Sequence, residues 1–239
     1  MKKILVSDYD NTFYIDDEDI MHNINKVDEF RNKNNLFIIA TGRSYYDFNR
    51  KLEKYPMKYD YLIINQGATI LNSNGLVIEN NAIENNIKQK LIQELNLCDQ
   101  ETMFACSRLE SRVSIKNNDI TKIHKKYETL EEAKKVNEYL NEKYQEYIVS
   151  YLIVSKNGIS IEIISSKTNK AKAIQKVANI EEVGKKNIFT IGDSYNDIEM
   201  IKNFNGYCVN NAKEEIKRIS QKQYKSVSKL IEELLGKEE

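Results

Sequence analysis

The sequence lacks paired cysteines, an excess of charge of either sign, and long apolar runs. The three cysteines, Cys98, Cys106 and Cys208, are widely spaced, so neither a zinc site nor a disulfide framework is indicated. Lys and Arg together number 36, as do Asp and Glu, and this balance gives no electrostatic footprint for nucleic acid or an anionic membrane. No segment approaches the roughly 18 consecutive apolar residues of a membrane-spanning helix.

These absences favour a protein of the cytoplasm. The apolar segment near the first residue is too short for a signal peptide, and Asp8 and Asp10 follow it at once. The cysteine usage fits a reducing compartment. We therefore expect a cytoplasmic monomer or weak homodimer that binds neither nucleic acid nor membranes. The 239 residues, 41% of them hydrophobic, are enough for one large domain or two small ones.

The most informative segment is residues 2–12, K-K-I-L-V-S-D-Y-D-N-T. Its apolar run without alternation predicts a strand buried on both faces, as in a parallel sheet. Asp8 and Asp10 follow where this strand ends, which is where open α/β sheets bind ligands. Two like charges so close require a cation or a raised pKa. Asn11 suits a tight turn, because Asn tolerates left-handed backbone.

Strand and helix patterns alternate along both ends of the chain. They predict strands at 36–40, 61–64, 187–191 and 206–209, with helices at 23–34, from Ser44, and at 169–179, 198–203 and 227–235. A hairpin turn is predicted at 72–75. The fold class is therefore α/β, with a Rossmann-like parallel sheet core.

The middle of the chain has a different pattern. It predicts helices at 83–97 and 130–143, short strands at 102–107 and 112–116, and a strand pair at 148–155 and 159–164 that turns at 156–158. We interpret this as an inserted, smaller α/β domain. The predicted division is residues 1–81 and 165–239 for the core and residues 82–164 for the insertion.

Polar signatures end four of the apolar runs. If these strands are parallel, the signatures lie along one edge of the sheet, and four carboxylates should come together. Oxygen ligands without His or Cys suit Mg²⁺, completed by water and a phosphate oxygen. A hydroxyl, an open backbone amide and a lysine nearby suit a phosphoryl group. The four carboxylates are Asp8, Asp10, Asp193 and Asp197, and the phosphoryl contacts are Thr41, Gly42 and Lys170.

In this order the residues resemble the haloacid dehalogenase (HAD) superfamily, and the inserted unit resembles the type IIB cap of its Cof-like phosphatases. The resemblance rests on D-Y-D-N-T at 8–12, A-T-G-R at 40–43, Lys170, and G-D-S-Y-N-D at 192–197. Two departures stand out: Asn11 replaces a common Gly, and 65–68 reads N-Q-G-A where relatives often read N-G-A. The extra residue could alter a loop that lines the pocket.

The resemblance implies a Mg²⁺-dependent phosphatase that hydrolyses a phosphomonoester of a small metabolite, such as a sugar phosphate, through an aspartyl-phosphate. Asp8 is then the nucleophile and Asp10 the acid and base. Mg²⁺ is held by Asp8, Asp193 and the backbone carbonyl of Asp10. The phosphoryl oxygens are bound by Thr41, Gly42, Lys170 and Asn196, while Asp197 orients Lys170 or a metal-bound water.

Simpler interpretations remain open for single residues. Thr41 could serve merely as a helix cap, and Lys170 could be a solvated helix residue. Asp197 could be present merely because an acidic side chain is favourable in a first helical turn. Surface or structural roles are open for the remaining basic residues and histidines, although Arg43 could reach the substrate and the three basic residues of the insertion could select an anionic substrate. These residues are Arg43, His22, His124, Arg108, Arg112 and Lys116.

Two other functions also remain open. A phosphosugar mutase would return the phosphoryl group from Asp8 to a sugar instead of to water. A non-catalytic phospho-switch or binding module of the receiver type would combine an acidic pair, a Thr and a Lys around Mg²⁺. Such modules lack a second carboxylate two residues after the phosphorylated one, so Asp10 favours an enzyme.

Overall fold

The computed structural model of this chain describes residues 2–97, 101–155 and 158–236. In these ranges the strands form two sheets, one of eight strands and one of five. The larger sheet is built from both ends of the chain, and the smaller one from the middle. No helix in the described ranges is long and apolar enough to cross a membrane.

The first part of the chain forms strands alternating with helices, followed by a hairpin. The elements are β1 (Ile4–Ser7), α1 (Asp17–Asn32), β2 (Leu36–Ala40), α2 (Tyr45–Lys54), β3 (Tyr61–Ile64), β4 (Thr69–Asn72) and β5 (Val77–Asn80). All four residues of β1 and of β3 are buried, as expected for strands covered on both faces by helices.

The middle of the chain forms an antiparallel sheet with two helices, here called the inserted unit. It comprises α3 (Asn85–Glu94), β6 (Met103–Cys106), β7 (Ser111–Val113), β8 (Lys122–Tyr127), α4 (Leu130–Lys143), β9 (Ile148–Ser155) and β10 (Gly158–Ser165). Apolar residues of one sheet face, including Ile123, Ile161 and Ile163, share a core with Leu91 of α3 and Leu140 of α4. The other face of this sheet is therefore free to meet the larger sheet.

The last part of the chain returns to the larger sheet. It comprises α5 (Lys170–Ile180), β11 (Ile188–Gly192), α6 (Ile198–Asn203), β12 (Asn205–Val209), α7 (Glu214–Ile219), β13 (Gln223–Tyr224) and α8 (Val227–Gly236). The strand order in the larger sheet is β13-β12-β11-β1-β2-β3-β4-β5, and that in the smaller is β7-β6-β8-β10-β9.

The pairing confirms the predicted fold class. Strand β1 pairs in parallel with β2 and β11, and the pairs β2–β3, β11–β12 and β12–β13 are also parallel. Among the described strands of the larger sheet only β4 is reversed, pairing antiparallel with β3 and with the edge strand β5. The carboxyl ends of β1, β2, β3 and β11 therefore lie along one edge, which we call the catalytic edge. The predicted domain boundaries, at 81/82 and 164/165, stay predictions.

Several element predictions were wrong, and each has a local cause. Helix α1 begins at Asp17 and not near residue 23, because the side chain of Asp16 caps it by accepting from the amides of Glu18 and Asp19. Strand β8 was missed because its sequence, K-I-H-K-K-Y, is mostly polar. The short elements α7 and β13 were also missed. The turn predicted at 156–158 lies partly outside the described residues.

Candidate active site

The predicted nucleophile sits directly after β1, in contact with the predicted lysine. Lys170 Nζ lies 2.5 Å from Asp8 Oδ1 and 2.7 Å from Asp197 Oδ1. The Lys170 side chain is 1% exposed and that of Asp8 is 7% exposed. Lys170 is the first residue of α5, whose N-cap is Asn169. The lysine is therefore a buried partner of Asp8 and not a solvated helix residue.

Asp193 follows β11 and is fixed by two neighbours. Its Oδ1 accepts from the hydroxyl of Thr12 at 2.9 Å, while its backbone amide donates to Asp197 Oδ2 at 3.0 Å. The amide of Ser194 donates to the same oxygen of Asp197 at 3.1 Å. A Cβ on Gly192 would lie 2.6 Å from the Asp197 carboxylate, so this close packing requires glycine. Asp197 therefore orients the loop and Lys170.

Three buried carboxylates form a group that suits a divalent cation. Ligand oxygens of Asp8, Asp193 and Asp197 all lie within 4.8 Å of one another. With all three carboxylates ionised, the single positive charge of Lys170 would leave two negative charges uncompensated. Both Asp197 oxygens already accept hydrogen bonds, from Lys170 and from two amides. Asp8 and Asp193 are therefore the better ligands for a hard cation such as Mg²⁺.

The electrostatics of this group show why a cation fits. Burial raises the pKa of Asp8 well above its ordinary value; Lys170 opposes that shift, while Asp197 and Asp193 add to it. Burial and the charge of Asp197 raise the pKa of Asp193 to about 7. Burial by itself would lower the pKa of Lys170, but Asp197 and Asp8 raise it above its ordinary value. Ionised carboxylates are thus costly here without a cation.

The fourth predicted carboxylate lies apart from this group. Asp10 accepts two hydrogen bonds from Arg43, at 2.8 Å from Nε and 2.6 Å from Nη2, and its side chain is 44% exposed. The expectation that four carboxylates meet is therefore wrong in this respect, because a guanidinium one strand away engages Asp10 in a bidentate pair. Asn11, the next residue, has φ 59°, as its turn role requires.

The second motif follows β2. Thr41 is 1% exposed, and its hydroxyl accepts from the amide of Arg43 at 3.1 Å. The cap of α2 is Ser44, whose hydroxyl accepts from the amide of Asp47, so Thr41 is not the helix cap. Gly42 lies between them, half-buried.

A polar chain that the sequence did not predict covers this edge. Asn196 donates through Nδ2 to Gln66 Oε1 at 3.0 Å, and Gln66 donates through Nε2 to Glu162 Oε2 at 2.7 Å. Lys122 Nζ donates to Glu162 Oε1 at 3.0 Å and to the carbonyl of Gly42. Asn196 was a predicted phosphoryl contact and Gln66 lies in the N-Q-G-A departure, whereas the sequence signal for Glu162 was a charge placed within an apolar strand, I-S-I-E-I-I.

Glu162 belongs to a row of side chains in register across the smaller sheet. Phe104, His124, Glu162 and Tyr151 stand opposite one another on adjacent strands, so they share one face. Burial raises the pKa of Tyr151, and the charge of Lys170 opposes that shift in part. The polar face of the inserted unit is therefore turned toward the catalytic edge.

The remaining candidate residues do not contact the carboxylate group. His124 stacks on Phe104 with ring centroids 4.4 Å apart, and its Nδ1 lies 3.5 Å from Glu162 Oε1. The other four residues are exposed, which agrees with a surface position: His22, Arg108, Arg112 and Lys116.

Comparisons with known proteins agree with this geometry. A sequence model of haloacid dehalogenase-like hydrolases matches residues 5–110 and 98–229. An uncharacterized protein of Mycoplasma capricolum subsp. capricolum is 29% identical over 85% of this chain and 88% of its own length. A Buchnera aphidicola protein, provisionally named a phosphatase, is 25% identical over 71% of each chain.

Solved structures show the same fold. A haloacid dehalogenase-like hydrolase from B. subtilis superimposes with a TM-score of 0.84 at 15% identity, covering 97% of this chain and 99% of its own. The family match spans most of the chain, including β1, β2, α5 and β11. The chain therefore belongs to the haloacid dehalogenase-like hydrolases and is a Cof-like member of that superfamily.

Proposed function

We propose that this hydrolase is a Mg²⁺-dependent cytoplasmic phosphatase that cleaves a phosphomonoester of a small metabolite, such as a sugar phosphate. The observation that carries the proposal is the buried carboxylate of Asp8, held 2.5 Å from Lys170 beside Asp193. A carboxylate in that setting is a nucleophile for phosphorus. Membership of the family and the Buchnera relative both support a phosphatase.

The reaction takes two steps. The Asp8 carboxylate bonds to phosphorus, and the bond from phosphorus to the leaving oxygen breaks, with its electron pair passing to that oxygen. Asp10 gives the leaving oxygen a proton. Water then attacks the aspartyl-phosphate and gives a proton to Asp10, which releases inorganic phosphate and restores the Asp8 carboxylate.

The side chain of Asp10 must leave Arg43 to act in this way. In the structure both of its oxygens accept from the guanidinium. Arg43 is itself only half-buried. A rotation of Asp10 toward the substrate therefore leaves the guanidinium accessible to solvent.

The phosphoryl oxygens are bound by groups from two strand ends and from the first residue of α5. They contact the hydroxyl of Thr41, the amide of Gly42, the ammonium of Lys170 and the amide side chain of Asn196. Mg²⁺ would be held by Asp8, Asp193 and the backbone carbonyl of Asp10. When bound, it supplies positive charge that offsets the carboxylates and the phosphoryl oxygens. The ammonium of Lys170 orients the Asp8 carboxylate through its hydrogen bond to Oδ1.

The proposal is tested with a panel of phosphorylated metabolites and an aryl phosphate, assayed without any sugar bisphosphate. We expect phosphate release that requires Mg²⁺, is abolished by EDTA, and is not supported by Ca²⁺, whose larger and looser coordination misplaces the attack. Asp8→Asn should lose turnover while remaining folded, whereas Asp119→Asn, at an exposed position, should behave as the parent. Full activity after exhaustive chelation, or in Asp8→Asn, would refute the proposal.

A further inference from the structure

The polar chain that joins the inserted unit to the catalytic edge has a fixed direction. A carboxylate only accepts hydrogen bonds, so Gln66 must turn its NH₂ group toward Glu162. Its carbonyl oxygen then faces Asn196, which must donate a hydrogen bond to it from its own NH₂ group. The observed contacts, 2.7 Å from Gln66 Nε2 to Glu162 and 3.0 Å from Asn196 Nδ2 to Gln66 Oε1, follow this order.

This direction has a consequence for Asn196. Its Oδ1 accepts from the hydroxyl of Ser194 at 2.9 Å, and one of its two N–H bonds goes to Gln66. The second N–H remains to donate to a phosphoryl oxygen. If the amide were reversed, Asn196 would present an acceptor oxygen toward an anion, which repels it.

The same carboxylate also reaches the second motif. Lys122 bridges Glu162 Oε1 and the carbonyl of Gly42, and the side chains of Lys122 and Glu162 are 4% and 11% exposed. A buried ion pair is on average no more stabilising than apolar residues of similar size. Stability therefore does not explain why this pair faces the site.

The backbone around Gln66 is built for this contact. Asn65, Gln66 and Gly67 have φ of 50°, 61° and 104°, an arrangement that costs energy for residues other than glycine. A Cβ on Gly42 would lie 2.4 Å from Gln66 Nε2, so the absence of a side chain there leaves room for the amide. The extra residue of N-Q-G-A thus lies across the phosphate-binding loop.

We infer that Glu162 is a positioning residue: acting through Gln66, it fixes the amide of Asn196 with an N–H toward the transferring phosphoryl group. The inference rests on the proposed phosphatase function. Glu162 need not touch the substrate, and its effect should be the same for a small aryl phosphate and for a larger metabolite. A residue that recognised the leaving group would instead affect only the larger substrate.

The test uses variants that keep the size and shape of a side chain but change whether its atoms donate or accept hydrogen bonds. Glu162→Gln can both donate and accept, so Gln66 and Asn196 lose their fixed order. We expect kcat for the aryl phosphate to fall about 3- to 10-fold, the effect of one misplaced hydrogen bond, with a smaller change in KM. Glu128→Gln, an exposed position on the same unit, is the matched control and should be unchanged.

Rescue separates positioning from a merely structural role. Adding Gln66→Glu to Glu162→Gln places an acceptor-only carboxylate directly beside Asn196, which restores its orientation and should recover most of kcat. Gln66→Glu alone places two carboxylates together and should be impaired. If Glu162→Gln matches Glu128→Gln, or if the double variant is no better than Glu162→Gln, the inference is wrong while the phosphatase stands. A parent without phosphatase activity would overturn both.

Discussion

At the residue scale, the site is defined by buried carboxylates whose charges are only partly balanced. Lys170 contacts Asp8 and Asp197, but Asp193 has a hydroxyl partner and no cation within the described residues. Its pKa of about 7, against an ordinary 3.8, is caused by burial first and by Asp197 second. The protein without metal is thus destabilised by its own active site.

This imbalance predicts how stability depends on pH. Between about pH 4 and 7, folded Asp193 keeps a proton that the unfolded chain has released, so the free energy of unfolding should fall as pH rises through that window. In EDTA, Asp193→Asn should weaken this dependence, leaving the part that comes from Asp8, and should be more stable than the parent at pH 8 by about 1–3 kcal/mol. Denaturant unfolding at pH 5 and pH 8 measures it.

The same unfolding measurement, repeated with Mg²⁺ in place of EDTA, is the control. Mg²⁺ should stabilise the parent at pH 8, because it binds only the folded state, and should stabilise Asp193→Asn much less. Equal pH profiles for the two proteins in EDTA would show that Asp193 is not the strained group.

At the element scale, two helix starts lie at the groups proposed to bind phosphate. Helix α2 begins at Tyr45, with two residues between it and the Thr41–Gly42 segment. Ser44 caps it, accepting from the amide of Asp47 and donating to its carboxylate at 2.7 Å. Helix α5 begins at Lys170 itself. The helix caps therefore set the positions of two predicted contacts.

Loss of the α2 cap should weaken this element measurably. Ser44→Ala removes the acceptor for the Asp47 amide and should lower the free energy of unfolding by about 1 kcal/mol. Ser73→Ala, in an exposed turn, should change it by less than about 0.5 kcal/mol. Chemical denaturation of both variants compares the two, and equal stabilities would contradict the capping role.

Elements with a clear apolar pattern were predictable, and the mostly polar strand β8 was not. Strands β2, β3 and β9 and helices α4 and α6 match their predicted bounds, because burial on one or both faces leaves a simple pattern. Strand β8 was missed because its polar residues Lys122 and His124 lie on one face, which in a surface strand would be exposed to solvent. In this structure that face is turned toward the catalytic edge. The sequence pattern cannot distinguish these two environments.

At the scale of the whole molecule, the motifs were predictable and their partners were not. Strand-end position was enough to bring Asp8, Asp193 and Asp197 together, since parallel strands share one edge. The pairing of Asp10 with Arg43, and the chain from Asn196 to Glu162, join residues far apart in sequence by side-chain reach. The first contact depends on side-chain conformation within the larger sheet, and the second on how the two sheets face each other. No local pattern encodes either.

The central claim is that Asp8 carries the phosphoryl group and Asp10 acts on both steps. An aryl phosphate with a good leaving group needs little protonation, so its first step should survive the loss of Asp10. The second step needs activated water and should slow by about 10²–10⁴-fold.

Rapid mixing of Asp10→Asn with such a substrate, followed by acid quench and peptide mass spectrometry, tests this most directly. The account predicts a burst of one product equivalent, a phosphoryl group on Asp8, and slow turnover afterwards. An alkyl phosphate should give no burst, because both of its steps need the acid. Turnover of both substrates near the parent rate, with no phosphoryl group on Asp8, would contradict the account.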